Sequence, residues 1–91
     1  MKTVFIKVYG RVQGVFFRQT SIAKAKELNV TGYTLNAHDG TVEIMAQGTE
    51  ESIERLIAWC HRGPERARVD KVDVQVVEEK SSFRSFELRY P

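Results

Sequence analysis

The sequence predicts an α+β fold: a split βαβ arrangement (βαββαβ) with two helices on one face of a four- to five-stranded, mainly antiparallel sheet. Two observations lead there. Apolar and polar residues alternate with period two in several segments, as half-buried strands require, and two other segments carry apolar residues at helical spacing. The order strand, helix, strand, strand, helix, strand, followed by one short extra strand, fits two right-handed crossovers packed against one sheet face.

Thr3 to Tyr9 puts Val4, Ile6 and Val8 on one face and Phe5, Lys7 and Tyr9 on the other, which predicts the first strand. Gly10 and Gly14 break it. Phe17, Ser21, Ala25 and Leu28, with Ile22 beside them, then recur near helical spacing and leave Lys24, Lys26 and Glu27 for solvent, giving a helix over Phe16 to Leu28. Asn29 suits a left-handed terminator. Val30 to Asn36 resumes an extended pattern, Asp39 and Gly40 suit a tight hairpin turn, and Val42, Ile44 and Ala46 alternate with Glu43, Met45 and Gln47 up to Gly48. Thr49 is placed to cap a second helix, with Glu50 and Glu51 at its positive end, Ile53, Leu56, Ile57 and Cys60 as its apolar stripe, and Gly63 and Pro64 as its stop. Val72, Val74 and Val76 alternate with Lys71, Asp73 and Gln75 in a fourth strand. Glu78, Glu79 and Lys80 read as a solvated turn, and Phe86, Leu88 and Tyr90 as a short final strand.

At 91 residues the chain is expected to be one domain over 1–91, because smaller pieces could not bury adequate cores. Its 42% hydrophobic and 29% charged residues permit a packed core under a solvated surface. A net charge of +2 is too mild for a dedicated nucleic-acid binder. No apolar run approaches the roughly 20 residues that cross a bilayer, and Met1 to Tyr9 alternates where a signal peptide would be continuously apolar. The expected setting is the cytoplasm, without a membrane or nucleic-acid partner, as a monomer by default; the lone Cys60 cannot form an internal disulfide.

The run Gly10-Arg11-Val12-Gln13-Gly14-Val15-Phe16-Phe17-Arg18 lies where a strand ends and a helix begins. Its glycines let the backbone turn and bring successive amides toward a ligand, a helix N-terminus favours anions, and Arg18 in the first turn offers a guanidinium fork matched to two phosphate oxygens. Charge-assisted hydrogen bonds contribute roughly 1.5–3 kcal/mol each, so several amides and Arg18 together could hold phosphate firmly. The residues alone equally allow a plain strand-to-helix turn with an exposed arginine. They exclude a Walker loop, which needs Gly-Lys-Ser or Gly-Lys-Thr, and a dinucleotide fingerprint, whose glycines are spaced differently.

The same run resembles the first signature of the acylphosphatase family: a glycine, any residue, Val-Gln-Gly-Val, a variable position, an aromatic or Met, and Arg. Gly32, Tyr33, Asn36, Gly40, Val42 and Gly48 resemble a second block, and Gly63, Pro64, Ala67 and Val69 the next landmark, so the likeness covers nearly the whole chain. Thr34 and Leu35 depart from the small apolar and often basic residues usual before the asparagine. The resemblance implies a ferredoxin-like fold and a metal-independent, cofactor-free hydrolase acting on the carboxyl-phosphate bond. It further implies that Arg18 and the backbone amides of Val12, Gln13, Gly14, Val15, Phe16, Phe17 and Arg18 bind the phosphoryl group, and that Asn36 positions the attacking water.

Such chemistry needs little. An amide side chain can orient water but cannot take its proton, and a carboxylate leaving group requires almost no protonation. Positioning and electrostatic stabilisation carry most phosphoryl transfer. No acidic, histidine or cysteine spacing resembles a metal site.

Cys60 and Arg66 show the spacing of a cysteine-phosphatase loop, but Cys60 ends a helix, where the negative pole disfavours a thiolate, and sits on the apolar stripe. A core role is expected for it. His38 reads as a solvated turn residue near Asn36, Trp59 and His61 as partial core and surface, and Arg62, Arg66, Arg68 and Lys71 as a loose cluster without a ligand. Phe17 and Tyr33 are candidates to border the site. An RNA-binding module shares the element order but needs stacking aromatics on its third strand, which Val42 to Gln47 lacks. A regulatory domain binding an anion without turnover would keep Arg18 and not require Asn36. A related domain begins larger carbamoyl-transfer proteins, whose further machinery a chain ending at Pro91 would not hold.

Overall fold

A computed structural model describes residues 1–78 and 81–91; Glu79 and Lys80 of the expected charged turn lie outside the described residues. The elements follow in the order β1 (Lys2–Arg11), α1 (Phe17–Glu27), β2 (Thr31–Asn36), β3 (Val42–Gly48), α2 (Glu50–Arg62), β4 (Arg68–Val76) and β5 (Phe86–Arg89). They form one sheet in the order β4-β1-β3-β2-β5. All pairings are antiparallel except β2 with β5. This is the split βαβ arrangement with the extra strand at the β2 edge.

The alternation in β1 places Val4, Ile6 and Val8 on the helix side, fully buried, opposite Ala46, Ile44 and Val42 of β3. Helix α2 adds Ile53, Leu56 and Cys60, while α1 adds Phe17, Ser21 and Ala25. These residues form one core between the helices and the sheet. Asn29 adopts φ 58 just beyond α1, and the Thr49 side chain accepts a hydrogen bond from the Ser52 amide at 3.1 Å, so both helix boundaries follow the expected chemistry. Helix α1 is shorter than expected at both ends. Phe16 stands outside it with a left-handed backbone, φ 65, instead of opening its first turn.

The valines of β4 are less covered than their pattern suggests. Val74 and Val76 pair with Ile6 and Val4 yet remain exposed, because β4 is an edge strand.

The register fixes where the termini of the strands meet. Val42 at the start of β3 stands between Val8 of β1 and Asn36 of β2, so β1 and β2 run parallel to one another with β3 between them. Their carboxyl ends therefore emerge on the same edge, roughly 10 Å apart. The end of β5 joins them, since it runs parallel to β2.

Thr34, one of the two departures noted in the sequence, is fully buried on the helix side of β2, and its hydroxyl has no hydrogen-bond partner. An unpaired buried hydroxyl costs about 1–2 kcal/mol. Thr34→Val is expected to raise the unfolding free energy by about 1 kcal/mol, read as a higher urea midpoint at unchanged slope; a lowered midpoint would show that the hydroxyl is satisfied in solution.

Candidate active site

The loop between β1 and α1 is held by two apolar anchors. Val12 and Val15 are buried and anchor it to the core, Gln13 is half-buried, and Gly14 and Phe16 face outward. Its two glycines do different work. Gly10 lies within β1 at a register shift against β4, where a side chain would run into the carbonyl oxygen of Arg68, so it serves the sheet and not a ligand. Gly14, at φ 75 with open space around it, provides the turn that the loop needs.

The two helix N-termini contrast. Helix α2 is capped by Thr49 and carries Glu50 and Glu51 in its first turn. Helix α1 has no side-chain cap and no acidic residue in its first turn. Among the described residues, the amides of Gly14 to Arg18 donate to no other backbone group. Unpaired amides at the positive end of a helix dipole form a ready anion site.

Arg18, second in α1, is half-buried and takes part in no ion pair among the described residues. Its guanidinium carbon lies 5.9 Å from the centre of the Tyr90 ring. Nearby acids would have neutralised it; the carboxylates of the hairpin go elsewhere. Asp39 accepts from the Thr41 hydroxyl at 2.6 Å and the Thr41 amide at 3.1 Å, and pairs with Lys7 at 2.9 Å. The Thr41 hydroxyl first, then Lys7, holds the Asp39 carboxyl well below the usual carboxylate range, and Asp39 in turn raises Lys7. This brace is therefore complete above the ordinary aspartate range, near pH 4, and is lost only as acid titrates toward the lowered value.

Asn36, the last residue of β2, meets the loop across the end of β3. The bridge between them is the Gln13 side chain, whose amide nitrogen donates to Ala37 O at 2.8 Å and to Thr41 O at 3.0 Å. One residue of the loop thus grips the backbone immediately after Asn36. This contact escaped the sequence reading, which counted Gln13 only for its backbone amide.

Val12, Gly14, Phe16, Phe17, Arg18, Gln19, Asn36 and Leu88 line a cavity of about 220 Å³ at this edge. Arg18 and Asn36, 18 positions apart in sequence, share it, together with much of the loop. Asn36 lines the cavity, and its carbonyl oxygen Oδ1 is buried without a hydrogen-bond partner. A buried acceptor left open is costly, and the Asn36 amide shares the cavity lining with the Arg18 guanidinium. Phe17 borders the cavity, its ring 5.2 Å from that of Trp59. Tyr33 does not: it lies on the other sheet face, against Phe83 and under Arg89, 4.2 Å from the ring centre. His38 is exposed in the hairpin and is not among the lining residues. A wider groove between the helices has its Lys24 and Arg55 paired to Glu27 and Glu51 and contains none of the loop.

Cys60 is fully buried in the core, and burial pushes its thiol up to about 12. That is the opposite of what a nucleophilic cysteine requires. Cys60→Ala is expected to keep full turnover while lowering stability by about 1–2 kcal/mol, and native protein is expected to resist iodoacetamide that labels it in urea; turnover lost in a folded variant would contradict this placement.

A family model described as acylphosphatase matches residues 4–88. An acylphosphatase of Methylococcus capsulatus is 46% identical over 86 residues, 94% of each chain. The solved acylphosphatase of Coxiella burnetii superposes with a TM-score of 0.92 at 36% identity, covering 97% of this chain and 92% of that one. The acylphosphatase of Bacillus subtilis gives 0.95 at 30% identity over 99% and 100% of the two chains.

Proposed function

The chain belongs to the acylphosphatase family, and on that premise we propose that it hydrolyses acyl phosphates to a carboxylate and inorganic phosphate by attack of a water held by Asn36 on a phosphoryl group held by Arg18. The single observation that carries this reading is that Arg18, Asn36 and a loop whose amides donate to no other backbone group among the described residues line one cavity.

The phosphoryl group sits against the amides of Val12 to Arg18 at the uncapped start of α1. Arg18 takes two of its oxygens in a fork, so the charge that spreads over them in the transition state meets fixed donors that need no rearrangement. The Asn36 side-chain amide holds a water by a hydrogen bond and aims its lone pair at phosphorus. The new P–O bond forms from this water as the bond to the acyl oxygen breaks. The leaving group departs as a carboxylate, stable without an acid, and the water's proton passes to a phosphate oxygen. Gln13 keeps the two halves together by tying the loop to the backbone beyond Asn36.

The chain acts as one domain, a monomer of the cytoplasm on small acyl phosphates, with no call for nucleic acid or membrane. Among the described residues no three His, Cys, Asp or Glu side chains come together as a metal site. Arg18 and the amides supply the charge neutralisation that a metal gives other phosphoryl-transfer enzymes. Purified protein is expected to hydrolyse benzoyl phosphate equally well with and without excess EDTA; turnover lost to the chelator and restored by a divalent ion would refute metal independence.

A further inference from the structure

We infer that the site selects acyl phosphates whose acyl group is bulky and apolar, an aryl group above all, and that Phe16 and Leu88 are the side chains that do the selecting. This rests on the hydrolase reading above and specifies its substrate class.

With phosphate placed at Arg18, Asn36 and the loop amides, what remains of the cavity lining is largely apolar: Val12, Phe16, Phe17 and Leu88, with Gln19 as the polar exception. Among the described residues, Arg18 is the only charged one in the lining, and it is already committed to the phosphoryl group. An acyl group bearing its own carboxylate or second phosphate finds no further cation there, whereas an aromatic ring finds four apolar side chains that exclude water.

Of the large apolar residues left exposed, Phe16 and Leu88, at 62% and 37%, are the two that line this cavity, and they reach its opening from opposite ends of the chain. Leu88 arrives there because β5 runs parallel to β2 and sets it beside Thr34, two residues before Asn36. Phe16 holds a left-handed backbone, φ 65, that glycine adopts freely and an aromatic residue does not. The turn itself would be better made by glycine, so the ring is what this position adds. The geometry explains the strain: it displays the phenyl group at the opening without drawing the loop away from Arg18.

The test measures kcat/KM for benzoyl phosphate and acetyl phosphate with wild type, Phe16→Gly and Leu88→Ala, alongside inhibition by inorganic phosphate. Glycine keeps the loop conformation, and comparing ratios between variants removes the intrinsic reactivity of the two substrates. The benzoyl-to-acetyl ratio is expected to fall roughly tenfold in Phe16→Gly and several-fold in Leu88→Ala, as expected from uncovering part of a phenyl ring. Ratios within twofold of wild type in both variants, or equal losses on both substrates, would overturn the selection and leave the hydrolase reading standing. A wild type that turns over neither compound would overturn both.

Discussion

Arg18→Ala is expected to lower kcat/KM for an acyl phosphate by roughly 1,000-fold or more, the scale on which a single arginine acts in phosphoryl transfer. The loss follows from position. Arg18 is half-buried, free of ion pairs among the described residues, and next to loop amides that donate to no other backbone group. Among the described residues, removing it takes away the only full positive charge in the cavity lining. Inhibition by inorganic phosphate should weaken with it, since substrate and product share the same oxygens. Arg18→Lys should recover only a small part of the activity, because an ammonium is a point charge and cannot bond two oxygens in one plane. A lysine variant with near wild-type kcat/KM would mean that charge alone suffices and the fork is irrelevant.

Asn36→Ala is expected to separate turnover from binding. Its kcat should fall about 100- to 1,000-fold, the cost of removing one oriented group from a preorganised site, while inhibition by inorganic phosphate stays within about threefold of wild type. The proposed mechanism gives the water to Asn36 and the phosphate to Arg18 and the loop. Asn36→Asp offers a sharper contrast, because an ionised carboxylate still accepts hydrogen from water but repels the phosphoryl oxygens; it should lose affinity as well as rate. Full turnover in Asn36→Ala would remove the water-positioning role and favour a domain that only binds anions.

The parts of this fold that depend on neighbours in sequence were legible before the structure. Val4, Ile6 and Val8 declare the buried face of β1, Thr49 declares the start of α2, and Asn29 declares the end of α1, each through local chemistry that tertiary packing does not overrule. The loop was legible as a possible anion cradle, and the family likeness singled out Arg18 and Asn36, which the structure brings to one cavity. What was hidden depends on long-range register. Gly10 looked like part of the cradle, but its need for glycine comes from the close approach of β4. Tyr33 looked adjacent to Asn36, yet three residues along a strand places it on the other face. Leu88 reads in sequence as the middle of a short strand and enters the cavity only because β5 adds parallel to β2. Gln13 hides its side-chain role for the same reason: its partners, Ala37 and Thr41, lie on the far side of α1 and β2 in sequence.

The central claim is that water attacks phosphorus and not the acyl carbon. It is tested most directly by hydrolysing an acyl phosphate with the wild-type protein in ¹⁸O-labelled water and locating the label by mass spectrometry. One labelled oxygen is expected in inorganic phosphate and none in the carboxylate; label in the carboxylate would place the attack at carbon and contradict the roles given to Arg18 and Asn36.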